Sequence, residues 1–201
     1  MGSLVARVTL RPPAVLVHAF ETVQRVSDGR LIAVLGAGDR ESRVENEEFG
    51  IPFGTLGDRV SALHDALAAF RARKAIGATY PVWVGGRHPR VLATVSDADG
   101  WNRWGGTAED FAAEAAVVRR VHPDATLTWG GLVVLATSDD RAREKAAVLR
   151  AGPGTVVGSP ATVAAQLRAY VEAGAAWLIL GPVDSSDPNN ADLAATLAGE
   201  L

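Results

Sequence analysis

The sequence contains no cysteine, which excludes disulfide frameworks, thiolate zinc sites, iron–sulfur clusters and cysteine nucleophiles. It also lacks a surplus of positive charge: 20 Lys and Arg stand against 23 Asp and Glu, a formal net charge of −3. That balance argues against binding to a nucleic-acid backbone or an anionic membrane. No apolar run approaches the length of a membrane span, and the N-terminal residues show no signal-peptide pattern. We therefore expect a cytoplasmic protein without nucleic-acid or membrane partners.

Hydrophobic residues, in contrast, are abundant: they make up 48% of the 201 residues, enough to bury a core. We expect a single domain over residues 1–201, since no linker divides the chain. The length falls short of the roughly 250 residues typical of a closed eight-stranded β/α barrel. Any barrel formed by this chain must therefore be a shortened one.

Short apolar runs alternate with longer amphipathic segments, which is the pattern of βα units and a mainly parallel sheet. The runs are continuous rather than alternating, as in strands that are covered on both faces. The predicted strands are Ala6–Leu10, Leu31–Leu35, Tyr80–Val84, Gly100–Asn102, Leu132–Ala136 and Trp177–Leu180.

Start and stop signals predict the helices. Thr55 and Asp58 have capping-box spacing before an apolar stripe, and Ser159 precedes Pro160 at the start of a helix that Gly174 can end. Further helices are expected over residues 12–28, 107–118 and 139–149, with Asn190 capping a last short one. We interpret the acidic segment around Glu45 as a charged loop.

Two glycine turns follow predicted strands, where parallel α/β folds bind their ligands. Gly36 and Gly38 flank Ala37, but the residues after them do not continue a dinucleotide-binding fingerprint. The second turn, residues 85–88, runs Gly-Gly-Arg-His before a helix that starts near Arg90. Close backbone approach, free N–H groups and a planar guanidinium are the chemistry of a phosphate site, although a plain βα turn with a solvated arginine is the alternative.

Other chemistry finds little support. None of the four histidines has metal-ligand spacing, so we expect no metal site, and neither a serine-hydrolase elbow nor a phosphate-binding P-loop is present. Four tryptophans fall in or beside strands, so most of them should be core: Trp83, Trp101, Trp129 and Trp177. Trp101 and Trp104 flank a strand end, where they could line a pocket for a planar cofactor.

Four segments resemble, in order, characteristic blocks of the luciferase-like flavin-dependent monooxygenases: residues 11–38, 47–71, 80–102 and 157–183. The resemblance implies a barrel of the (β/α)8 TIM type that holds FMN or F420 at the carboxyl ends of its strands. It also implies an oxidoreductase or monooxygenase that acts on a small organic molecule. Carried over by motif, the cofactor-binding residues are Gly85, Gly86, Arg87 and His88 at the phosphate, with Gly36, Gly38, Thr9 and Asn46 nearer the ring. No catalytic residue is singled out.

The chain also departs from the family. Two βα units that precede the first strand in the family are missing, and the central insertion shrinks to residues 74–79. Because a shortened barrel leaves open strand edges, we expect a homo-oligomer, most simply a dimer, or closure by the terminal segments or by a neighbouring chain. A protein that keeps the fold and binds a flavin or a partner subunit without turnover is the alternative function.

Overall fold

The computed structural model describes residues 1–201, in which strands and helices alternate along the chain. The strands are β1 (Ala6–Arg7), β2 (Ala33–Gly36), β3 (Val82–Gly85), β4 (Gly100–Trp104), β5 (Thr126–Leu135), β6 (Val156–Gly158) and β7 (Trp177–Pro182). The helices are α1 (Pro13–Val26), α2 (Ser42–Glu48), α3 (Leu56–Ala75), α4 (Pro89–Leu92), α5 (Ala108–Val121), α6 (Asp139–Val148), α7 (Pro160–Glu172) and α8 (Asn189–Glu200). None of these helices combines the length and apolar character needed to cross a lipid bilayer.

The chain divides into two compact units. The first unit comprises residues 1–102 and 116–126, and the second comprises residues 103–115 and 127–201. The expectation of one domain over residues 1–201 stays a prediction.

In the first unit, β1, β2 and β3 pair side by side in parallel, and β3 pairs with the start of β4. The aromatic rings of Phe20 in α1, Phe70 in α3 and Tyr80 pack edge to face, with centroid separations of 5.5 and 6.1 Å. This core forms where amphipathic helices cover the apolar strands, which is the arrangement that the continuous apolar runs in the sequence predict.

The second unit is built on β5, which pairs in parallel with both β6 and β7. Tyr170 of α7 packs against Phe111 and Trp129, with centroid separations of 6.1 and 4.3 Å. β5 is the only strand with which β7 pairs, and Trp177 at the start of β7 is 52% exposed. Trp83, Trp101 and Trp129 are buried, as expected for most of these tryptophans, and Trp177 is the exception because this strand has an open edge.

Local signals locate most helices correctly. The Thr55 and Asp58 side chains form both bonds of the predicted capping box, and Ser159 caps α7 before Pro160. Gly174, with a φ of +99°, follows α7 as expected. Asn190, however, does not cap α8: the helix already includes Asn189, and the side chain of Asn190 donates instead to the carbonyl of Asp184.

Four other assignments differ from prediction. β1 ends at Arg7, because Val8–Leu10 form a 3-10 turn before the prolines that open α1. The acidic segment expected as a loop is helix α2, and the short strand β6 was not predicted. The prediction for residues 132–136 captures only the second half of β5.

One ionic cluster joins α6 to the segment after β7. The Lys145 ammonium lies 2.6 Å from Asp184 and 2.8 Å from Asp187, and it also donates to the carbonyl of Leu135. The hydrogen bond from Lys145 is the largest factor that lowers the pKa of Asp187, from 3.8 to about 2, and the N–H of Asn189 adds to it. A carboxylate with a lowered pKa stabilises the fold above its ordinary pKa, and that stabilisation is lost as the pH falls toward 2.

We expect Lys145→Met to lower the free energy of unfolding at neutral pH, because two carboxylates lose their shared cation. We also expect the loss of stability between about pH 4 and pH 2 to become shallower in this variant, since the pKa of Asp187 moves back toward its ordinary value. Urea unfolding measured across this pH range checks both effects.

Arg143→Met is the matched control. Arg143 pairs with Asp140 on the same helix, but both side chains are largely exposed, and such pairs contribute little. Equal pH profiles for the Lys145 variant and the unmodified protein would contradict the assigned role of the cluster.

Candidate cofactor-binding site

Parallel pairing brings the ends of four strands into one row. Arg7 pairs with Gly36, Gly36 with Gly85, and Gly85 with Asn102. The two glycine turns, which lie about 50 residues apart in the sequence, thus meet at the carboxyl edge of the first unit. That edge is where parallel α/β folds bind their ligands.

The turn after β3 is held on both sides. Gly86 has a φ of +136°, and a methyl group placed on it would lie 3.1 Å from a methyl of Val91. Its N–H donates to the carbonyl of Asn102 at 3.3 Å, and its carbonyl accepts from the indole nitrogen of Trp101 at 2.7 Å. Only glycine adopts this conformation without strain, so the turn is a preorganised feature of the edge.

The next two residues, Arg87 and His88, are exposed. The Arg87 side chain has no ionic or hydrogen-bond partner in the protein, and the backbone N–H groups of both residues are free of protein acceptors. His88 Nδ1 accepts from the N–H of Arg90 at 3.2 Å and thereby caps α4. Since Nδ1 is an acceptor, the ring proton sits on Nε2 and can be donated outward. The turn therefore offers an anion two backbone donors, a guanidinium and an imidazole N–H.

The Gly36–Gly38 turn is shaped by buried polar contacts. Asn46 of α2 is fully buried, and its amide oxygen accepts from Arg7 Nη1 at 2.9 Å. Its amide nitrogen donates to the carbonyl of Pro52, while Arg7 also pairs with Glu45. In this arrangement Asn46 anchors α2 beside the turn, with one hydrogen bond at each end of its amide.

Thr9 lies in a separate part of the same unit. It follows β1 in the 3-10 turn and borders a depression of about 380 Å³ that is also lined by Pro12, Ile51 and Asp65. Of the predicted site residues, the structure thus brings together Gly36, Gly38, Gly85, Gly86, Arg87 and His88. Asn46 lies beside this group and Thr9 lies apart from it, and the cofactor contacts of both stay predictions.

A second depression, of about 370 Å³, lies at the amino end of β3. There Asp99 accepts from the N–H of Val82 at 2.7 Å and pairs with the Lys74 ammonium at 2.5 and 2.6 Å. The Lys74 ammonium and the Asp99 carboxylate form an ion pair, which joins α3 to the start of β3. We interpret this end of the unit as structural, because ligands of such folds bind at the carboxyl ends.

Sequence comparison identifies the family of the chain. Residues 1–155 match the luciferase-like monooxygenases. The chain belongs to this family. No curated protein matches it in sequence.

Solved structures of luciferase-like enzymes share the fold. An F420-dependent secondary alcohol dehydrogenase in complex with an F420–acetone adduct superposes with a TM-score of 0.77 at 11% identity, covering 98% of this chain and 76% of that one. A coenzyme F420 dependent tetrahydromethanopterin reductase from Methanopyrus kandleri gives 0.70 at 13% identity, covering 100% and 81%. The oxygenating constituent of 3,6-diketocamphane monooxygenase from Pseudomonas putida, in complex with FMN, gives 0.66 at 15% identity, covering 98% and 76%. The predicted parallel α/β fold related to the TIM barrel is confirmed, and a shortened barrel is consistent with these likenesses.

The two tryptophans predicted to line a pocket of this luciferase-like protein have different surroundings. Trp101 is fully buried, and its indole N–H donates a hydrogen bond to the carbonyl of Gly86. Trp104 is 45% exposed and, in the second unit, lies over Gly130 and Gly181, on which added methyl groups would come within 2.8 and 3.2 Å of its ring. Trp101 thus supports the Gly86 turn, and of these two tryptophans it is Trp104 that presents an aromatic surface to solvent.

Two residues at this edge were missed in the sequence, Arg7 and Asn102. Asn102 is buried at the register position beside Gly85, and Arg7 lies beside Gly36. A polar residue within or at the end of an otherwise apolar predicted strand was the available signal in both cases. We expect both to support the glycine turns, Asn102 through its carbonyl and Arg7 through α2.

Proposed function

We propose that this luciferase-like protein is an oxidoreductase that uses FMN or F420 to act on a small organic substrate, with the cofactor phosphate bound at Gly85–His88. The observation that carries the proposal is the exposed turn after β3, where the guanidinium of Arg87 and two backbone N–H groups have no protein partner. An anion at this point would gain charge-assisted hydrogen bonds without displacing any existing contact.

The residues present fit a phosphate in a further way. A side chain on Gly86 would crowd Val91 and strain the backbone, so the surface there stays open for close approach. Trp101 and Asn102 hold the turn from behind and limit its movement when a ligand binds. His88 is oriented by its capping bond, which leaves Nε2 as the donor that faces outward.

When bound, a reduced flavin supplies a hydride or activates oxygen, whereas F420 supplies a hydride alone. The protein's part in either case is to anchor the phosphate and to present the ring at the carboxyl edge. No feature of the fold favours the alternative of a protein without turnover. Closure of the open strand edges by a second copy of the chain stays part of the proposal.

Replacing Arg87 by Ala should weaken FMN binding about tenfold to a hundredfold, since a charge-assisted contact to the phosphate is lost. Quenching of FMN fluorescence during titration with protein measures the dissociation constant. Riboflavin has the same ring without the phosphate, so its affinity should be the same for the variant and the unmodified protein.

Arg120→Ala is the matched control, because Arg120 is an exposed arginine on α5 with no ionic partner. It should leave FMN binding unchanged. Failure of the unmodified protein to bind either FMN or F420 would overturn the proposed function, and equal FMN affinity of the Arg87 variant would overturn the assignment of the phosphate turn.

A further inference from the structure

The strand β7 has an unprotected edge. It pairs with β5 alone, and none of its six residues is buried, whereas β2 and β3 are buried throughout. Exposed sheet edges in natural proteins usually carry charged side chains or are covered by other segments. β7 contains no charged residue, and only Pro182 at its end limits pairing with a further strand.

The backbone of β7 offers hydrogen bonds at this edge. Val133 of β5 pairs with Pro182, and its carbonyl accepts from the N–H of Val183. Because backbone groups alternate in direction along a strand, the N–H and C=O groups of Leu178 and Leu180 point away from β5. Pro182 lacks an N–H, so a ladder formed by these groups ends before it.

Apolar side chains are exposed on one face of the sheet beside this edge. Trp104, Leu132 and Trp177 are between 42% and 52% exposed. A methyl group placed on Gly181 would lie 3.2 Å from the Trp104 ring and 3.5 Å from Leu132. Trp177 precedes Gly181 by four residues in the same strand, so its side chain lies on this face as well. The free edge therefore has an exposed apolar patch next to it.

The sequence of β7 is complementary to itself in an antiparallel register. A two-fold axis at Ile179 places Trp177 of one copy opposite Gly181 of the other, where the glycine leaves room for the indole. Leu178 then lies opposite Leu180, and the outward N–H and C=O groups of these two residues bond to each other. The same uncharged surface meets itself across the axis, as an isologous interface requires.

We propose that β7 is an interface at which a second copy of this chain adds its own β7, antiparallel, to the sheet. Such a dimer rests on the proposed function only in that closure by a second copy is part of it, and it does not depend on cofactor binding. The pairing covers on the order of 500 Å² per copy, counting the strand edge and the exposed parts of the two indoles and Leu132, which reaches the low end of specific interfaces. We therefore expect a reversible dimer with a micromolar dissociation constant.

Charges at the two-fold axis test this register. Ile179→Lys and Ile179→Asp each place like charges directly opposite one another, so each variant alone should dimerise at least about tenfold more weakly than the unmodified protein. An equimolar mixture of the two variants pairs opposite charges and should regain dimers. Sedimentation velocity over a range of protein concentrations measures each sample.

A disulfide crosslink provides a second measurement without added charge. The chain has no cysteine, so Ile179→Cys introduces its only thiol. In the proposed register the Cα atoms of the two copies lie about 4.5 Å apart at this position, a distance that a disulfide spans. Val148→Cys is the matched control, because Val148 is 82% exposed on α6 in the same unit. Under mild oxidation, the Ile179 variant should form covalent dimers at least about tenfold faster than the control.

Three results would overturn the interface: a protein that stays monomeric at millimolar concentration, a dimer that a folded Ile179→Lys variant leaves intact, or crosslinking no faster at residue 179 than at residue 148. Pairing of β7 with a different protein would give the first of these. Circular dichroism and urea unfolding identify a charged variant that fails to fold, and the cysteine variant, whose side chain stays small and uncharged, then decides alone.

The outcomes also separate this interface from the cofactor site. A monomer that binds FMN through Arg87 would overturn the β7 interface and leave the oxidoreductase proposal standing. A β7-paired dimer that binds neither FMN nor F420 would overturn the proposed function and leave the interface standing.

Discussion

Replacing Trp101 by Ala should lower the free energy of unfolding by about 4 kcal/mol, the largest effect expected for a single substitution near the site. The indole is fully buried, so the truncation removes apolar contacts and leaves a cavity. It also removes the donor to the carbonyl of Gly86, which lies 2.7 Å from the indole nitrogen. Urea unfolding monitored by circular dichroism measures the loss.

Trp101→Phe separates the two contributions. It keeps most of the buried area and removes the hydrogen bond, so we expect a cost of about 1 kcal/mol together with weaker FMN binding. Trp177→Phe is the matched control, since Trp177 is half exposed and should change neither quantity appreciably. If Trp101→Phe bound FMN as tightly as the unmodified protein, support of the phosphate turn by this hydrogen bond would be disproved.

Replacing Glu114 by Ala should destabilise the protein by about 3 kcal/mol, because it leaves a buried cation without its counterion. Arg103 is only 6% exposed, and its Nε lies 2.6 Å from a carboxylate oxygen of Glu114. The same guanidinium donates to the carbonyl of Trp104 at 2.6 Å, at the start of the Gly105–Gly106 turn. Loss of the counterion therefore disturbs both the charge balance and the turn.

A double-mutant cycle with Arg103→Met measures the coupling between the two side chains, which should exceed about 1 kcal/mol. Glu172→Ala serves as the control, since Glu172 is exposed at the end of α7 and makes no ion pair. Additive effects in the cycle would mean that the pair does not stabilise the fold. Urea unfolding of the four proteins under one set of conditions provides the comparison.

The helices show how much local sequence can determine. Thr55 with Asp58, and Ser159 with Pro160, act within a few residues, so their capping patterns predict α3 and α7 correctly. Helix α2 was missed for the opposite reason. Its charged sequence is typical of a loop, and it is helical where Asn46 and Glu45 meet Arg7 from a distant strand.

The candidate site also has some features that the local sequence predicts and others that depend on contacts between distant segments. The residue types at Gly85–His88 indicated a phosphate turn, and the segment is a glycine turn followed by a short helix in the structure. The position of Gly36 beside Gly85, with Asn102 on the far side, depends on strand register. Register is a property of pairing between distant segments, and no single glycine turn carries that information.

The sequence by itself determined the alternation of strands and helices, the helix caps, the family and the chemistry of the Arg87 turn. These depend on residue types and spacings within short segments. Only the tertiary structure decided that Val5 packs on Gly36 and Gly85, that Trp101 supports the Gly86 turn, and that Trp177 lies at an open edge. The physical reason is that such contacts join segments far apart in the chain, where packing and register choose the neighbours.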